Sequence, residues 1–184
     1  STLSGNINEN ITISRIKKYN STIEWCLYHD ELDETIYNNL INTVSNNMNI
    51  LYKYYSLKKE MLKLDELHLY DIYTPIVKNF DKRYPYEEAK ETVLKALSIL
   101  GEDYISTLAK GLENNWVDVY PSLSKRTGGY SGGSYDTAPY ILLNYQEKYD
   151  DMSTLSHEAG HSMHSYYTRK NNPYQYGDYS IFVA

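Results

Sequence analysis

The sequence predicts a mainly α-helical chain with one small β region, a hairpin or edge sheet, near residues 116–145. Three observations predict it. No glycine or proline interrupts the chain between Thr12 and Thr74, and apolar residues recur there at helical spacing. Residues 116–145 instead combine apolar and polar alternation, glycine pairs and β-prone side chains. From about 151 to 169 the chain is again free of proline and its apolar positions return to the helical interval.

Taken in order, Ile13, Ile16, Ile23 and Leu27, with Trp25 and Tyr28, form an apolar stripe over about 14–28. Asn20-Ser21 lies within it as a turn or as a helix cap. Asp30 or Asp33 opens a second helical segment carrying Ile36, Leu40, Ile41 and Val44 on one side. The stripe resumes through Met48, Leu51, Tyr55, Leu57, Met61 and Leu64. His68-Leu69-Tyr70-Asp71-Ile72-Tyr73-Thr74-Pro75 reads as aromatic and extended, with His68 a structural histidine before a metal ligand. Pro85-Tyr86-Glu87-Glu88 places proline and acids where a first helical turn favours them, and Ala89, Val93, Leu97 and Leu100 carry that helix to Gly101. A further helix covers about 103–113.

Trp116-Val117-Asp118-Val119-Tyr120 and Pro139-Tyr140-Ile141-Leu142-Leu143-Asn144-Tyr145 are strand-like and flank a glycine-rich run, Lys125 to Tyr135. That run lacks the Gly-Lys-Ser/Thr order of a phosphate cradle. Its Gly128-Gly129-Tyr130 reads either as backbone left open for an extended peptide to pair with, or as a surface hairpin. Asp150, Asp151 and Ser153 suit the start of the next helix, Arg169-Lys170 its end, and Asn171-Asn172-Pro173 its stop.

Length and composition set outer limits. At 184 residues, with 41% apolar and 23% charged residues, the chain suits one domain: helical over 12–114, β over 116–145, helical over about 151–169, with a C-terminal segment at 171–184. A net charge of −6 carries no electrostatic footprint for nucleic acid, and no basic amphipathic face suggests a membrane partner. No apolar run is long enough to span a bilayer, and the N-terminus lacks the pattern of a signal peptide. The single cysteine, Cys26, forms no internal disulfide, which fits a cytoplasmic location.

The chemistry concentrates in Ser156-His157-Glu158-Ala159-Gly160-His161-Ser162-Met163-His164, which holds three of the chain's five histidines. On a helix, residues four apart share a face, so His157 and His161 can grip one metal ion. Zinc suits neutral imidazoles and keeps positions for a third protein ligand and a water. Glu158 lies about 100° further round the helix than His157, beside the metal instead of on it, placed to accept a proton from water there. This is the H-E-x-x-H pattern of metal-dependent peptidases; a solvated histidine cluster is the alternative.

The pattern extends well beyond that motif. Residues His157 to Tyr167, then Pro173-Tyr174, Tyr176-Gly177-Asp178-Tyr179 and Ser180-Ile181-Phe182-Val183-Ala184, resemble the catalytic core of the oligoendopeptidase F family, bacterial relatives of thimet oligopeptidase. Tyr70 to Pro75 and Lys125-Arg126 through Tyr130 are similar to further stretches of it. The resemblance implies a thermolysin-like helical core with a small sheet at the cleft, part of one catalytic domain that hydrolyses short peptides with zinc. It implies that His157 and His161 are ligands and Glu158 the general base, while His164, Asp178 and Tyr179 either orient ligands or serve packing. In the family a glutamate ligand directly follows the Phe-Val-Ala segment, whereas this sequence ends at Ala184. The expectation is therefore an internal piece of a longer enzyme, whose partner is the missing C-terminal part of the same polypeptide. A helical module that binds peptide or a partner without hydrolysis is the competing expectation.

Overall fold

The computed structural model describes residues 1–77 and 81–184. Residues 78–80, inside the stretch expected to be helical, lie outside the described residues. The chain divides into two compact units, Ser1–Phe80 and Asp81–Ala184.

The first unit is four helices: α1 (Thr2–Ile16), α2 (Thr22–Tyr28), α3 (Glu34–Asn46) and α4 (Met48–Leu62). Ser21 caps α2, its hydroxyl accepting from the Glu24 N–H at 2.9 Å. Asp33 caps α3 by accepting from the Thr35 N–H at 2.7 Å. Helix α1 starts well before the apolar stripe that signals it, through residues 2–9, which are mostly polar and exposed. Residues 69–71 form a 3₁₀ turn instead of the extended segment expected: the Asp71 carboxylate accepts from the His68 N–H at 2.9 Å and folds the chain back. His68 stacks on Tyr70 with ring centroids 5.1 Å apart, a local packing role.

The second unit holds α5 (Tyr86–Ala96), α6 (Glu102–Glu113) and α7 (Tyr149–Asn171), with β1 (Val117–Asp118), β2 (Tyr130–Gly132) and β3 (Tyr140–Leu142). Helix α5 passes at Leu97 into a 3₁₀ turn that ends at Gly101, so the single helix expected to Gly101 is shorter by one tight turn. The strand order is β1-β3-β2, with β1 parallel and β2 antiparallel to β3. Strand β2 is thus an edge.

Helix α7 is the axis of this unit. The Asp151 carboxylate accepts from the N–H groups of Gln146 and Lys148, each at 2.9 Å, and fixes its first turn. Met152, Leu155, Ala159 and Met163 are buried in one core with Ala89 and Val93 of α5, Leu108 and Leu112 of α6, Trp116, and Ile141 of β3. At about 100° per residue these four α7 positions lie on one side, and His157, His161 and His164 fall on the opposite side. Burial of each large apolar side chain contributes about 1.5–3 kcal/mol, so the core holds α7 against rotation. Packing thereby decides where the histidines point.

Candidate metal centre

His157 and His161, one turn apart on α7, bring their Nε2 atoms to 3.1 Å, with the ring planes at 82°. Two nitrogens bound tetrahedrally to one zinc at about 2.0–2.1 Å would lie roughly 3.3 Å apart. The donor pair therefore has the spacing of two nitrogens on a shared ion. Among the described residues, no group of three or more His, Cys, Asp or Glu side chains is arranged to hold a metal. The candidate centre, among the described residues, comprises these two nitrogens.

Glu158 is 7% exposed, on the side of α7 that faces β2. It lines a cavity of about 340 Å³ with His161, Gly129, Tyr130, Ser131, Tyr179 and Ala184. A carboxylate, an imidazole and an edge strand thus share one hollow. Two of the three loop residues singled out from sequence, Gly129 and Tyr130, lie there. Gly128 does not: it lines a separate hollow with Asn144, Asp151 and Thr154.

Side chains that sequence alone did not single out hold the β2 edge at this place. The Ser131 and Ser162 hydroxyls are hydrogen-bonded at 2.8 Å, which joins β2 to α7 beside Glu158. Ser162 lies one turn beyond Glu158 on the same side, a spacing visible in the sequence, although the strand it meets is not. The Asn144 amide donates to the carbonyls of Arg126 and Gly128 at 2.8 and 2.9 Å and ties the glycine-rich loop to the end of β3. Lys125 donates to the Asp118 and Tyr120 carbonyls at 3.0 and 2.7 Å and holds the same loop near β1. The glycine pair is explained by backbone demands. Gly128 has φ +88°, and a Cβ on Gly129 would come within 2.9 Å of the Thr154 methyl on α7.

Beyond the cavity, the rings of His164 and Tyr179 stack with centroids 3.6 Å apart and planes at 4°. The Tyr179 hydroxyl donates to the His161 carbonyl at 3.3 Å and accepts from the Ser165 hydroxyl at 3.4 Å. Arg169, at the end of α7, donates to the Gly133 carbonyl at 3.2 Å and stands 3.8 Å from the exposed Asp178 carboxylate. Asp178 therefore faces Arg169, away from the histidine pair's immediate partners.

The helical core with its small sheet is a fold shared with solved peptidases. It superposes on the crystal structure of a candidate peptidase from Chlamydophila abortus with a TM-score of 0.82 and 43% identity, covering 99% of this chain and 30% of that one. The family model described as Peptidase family M3 matches residues 1–184, and the chain belongs to that family. It is 50% identical over 183 residues to oligopeptidase PepF of Bacillus subtilis, covering 100% of this chain and 27% of that protein. It is 43% identical over 178 residues to an oligoendopeptidase F homolog of Borreliella burgdorferi, covering 96% of this chain and 30% of that protein. The chain thus spans less than a third of the length of these curated relatives. Among the described residues, no helix is long and apolar enough to cross a membrane.

Proposed function

We propose that residues 1–184 form part of the catalytic domain of a zinc-dependent endopeptidase that hydrolyses short peptides in the cytoplasm. The observation that carries this reading is the 3.1 Å approach of the His157 and His161 Nε2 atoms beside the buried Glu158. His157 and His161 would hold the zinc. When bound, the metal supplies a positive charge that acidifies a water and polarises the scissile carbonyl.

Within that reading this chain's own residues have distinct work. Glu158 accepts the proton of the attacking water and delivers it to the leaving amine. The Glu158 side chain is buried at the wall of the hollow that it lines with His161. The outer edge of β2 offers backbone N–H and C=O groups to an extended peptide, and Gly129 and Tyr130 line the hollow that such a peptide would enter. The Ser131–Ser162 bond holds that edge at a constant distance from the carboxylate.

In the whole protein, Glu158→Gln is expected to retain zinc and lose turnover of a quenched short peptide by about 10²–10⁴-fold, the usual weight of a general base. Full activity in that variant would overturn the assignment. The two-donor centre supports a second reading for these 184 residues taken alone, a module that binds peptide or a partner without hydrolysing it. Zinc titration separates the two. The isolated chain is expected to bind the ion weakly and the whole protein tightly, while equal affinity with no cleavage by either would leave only the binding module.

A further inference from the structure

The stack of Tyr179 on His164 is unexplained by packing in the core, because both rings lie on the histidine side of α7, opposite Leu155 and Met163. Its placement ties three things together. The ring sits on the turn of α7 that follows His161. The hydroxyl reaches back to the His161 carbonyl and also receives the Ser165 hydroxyl. Beyond it the chain folds over: the Val183 and Ala184 N–H groups both donate to the Ser180 carbonyl, at 3.1 and 3.2 Å, and Ala184 returns to line the cavity of Glu158 and His161.

We propose that Tyr179 is a positioning residue for the metal centre: through its ring on His164 and its hydroxyl on the His161 carbonyl, it holds residues 177–184 along α7, beside the hollow that Glu158 and His161 line. The proposal rests on the zinc reading above. Physically, two rings in flat contact resist sliding of the segment along the helix. The hydroxyl contact acts on the backbone of His161 and so steadies its ring indirectly, through the helix turn that carries it. Tyr179 itself touches neither the ion nor the attacking water.

The test compares the whole protein with Tyr179→Phe, which keeps the ring and removes the hydroxyl, and Tyr179→Leu, which removes both. Zinc dissociation constants are measured by competition with a chromophoric chelator, and kcat and KM with a quenched short peptide. Loss of a group bonded to a ligand's side chain weakens metal binding by about 10–100-fold, which sets the upper bound for a contact made to the ligand's backbone. Tyr179→Phe is expected near the lower end, with kcat reduced at subsaturating zinc and restored by added zinc, and KM unchanged. Tyr179→Leu is expected near the upper end; should it fail to fold, Tyr179→Phe carries the test alone. Wild-type zinc affinity in a folded Tyr179→Phe, or an activity loss that added zinc does not restore, would overturn the positioning role. A wild-type protein that neither binds zinc nor cleaves the peptide would instead overturn the function on which the proposal rests.

Discussion

Tyr145 shows how much a single side chain can link in this molecule. It is 2% exposed, packs edge-on against Tyr86 with ring centroids 5.5 Å apart, and donates its hydroxyl to the Tyr84 carbonyl at 2.7 Å. Burial, helped by the negative charges of Asp151 and Glu147, pushes its phenol up to about 12 from the ordinary 10.0. A raised phenol pKa favours the protonated, folded form. Its contribution is complete below pH 10, where Tyr145 is neutral folded or unfolded, and is lost as pH climbs from about 10 to about 12, where only the unfolded chain ionises. Urea unfolding followed over that window is expected to show stability falling with pH, and Tyr145→Phe to flatten the fall. An equal slope in both proteins would show that another group carries it. Tyr86, buried beside it, has its phenol raised in the same direction by the same cause, so the flattening will be partial.

At the scale of elements, the chain leaves α6 for β1 through one close approach, Gly111 of α6 against Trp116 just before the strand. A Cβ on Gly111 would come within 2.3 Å of the Trp116 indole, and the Trp116 N–H donates to the Gly111 carbonyl at 3.2 Å. Gly111→Ala should gain up to about 1 kcal/mol in helix propensity and lose about 1–3 kcal/mol to overpacking, so a net loss of about 1 kcal/mol is expected in chemical denaturation. A stabilised variant would show that the indole can move aside. The α7 helix and its histidine spacing were legible in the sequence because periodicity and the H-E-x-x-H pattern both act within a few turns. The caps Ser21 and Asp33 were legible for the same reason. The 3₁₀ turn at 69–71 was not, since the bond from His68 to Asp71 competes with a run of aromatic residues that favours extended chain. Nor was the strand order, because the parallel partnership of β1 with β3 and the Ser131–Ser162 contact join residues far apart in sequence. The sequence marked the helix turn that carries His157, Glu158 and His161 but not the Ser131, Ser162 and Asn144 contacts that hold the neighbouring strand and loop.

On the scale of the whole molecule, the first unit presents an apolar helix face that the described residues leave about half exposed. Helix α3 has no buried residue, and Ile36, Leu40, Ile41 and Val44 are 45%, 54%, 47% and 56% exposed. Exposed apolar stripes of this kind favour association. The isolated 184-residue chain is therefore expected to bind a hydrophobic dye and to self-associate in sedimentation, and Leu40→Lys with Val44→Lys to suppress both. A monodisperse wild-type chain with no dye binding would refute this. In the second unit a different kind of economy rules: one helix supplies both the hydrophobic wall, through Leu155, Ala159 and Met163, and the imidazoles on its far side. The two faces are geared together, about 100° to the residue. Exchange of one side chain for another on either face leaves that gearing intact, whereas insertion or deletion of a single residue between Leu155 and His161 would turn one face out of phase with the other. Between Leu155 and His161 the spelling of α7 is therefore freer than its length.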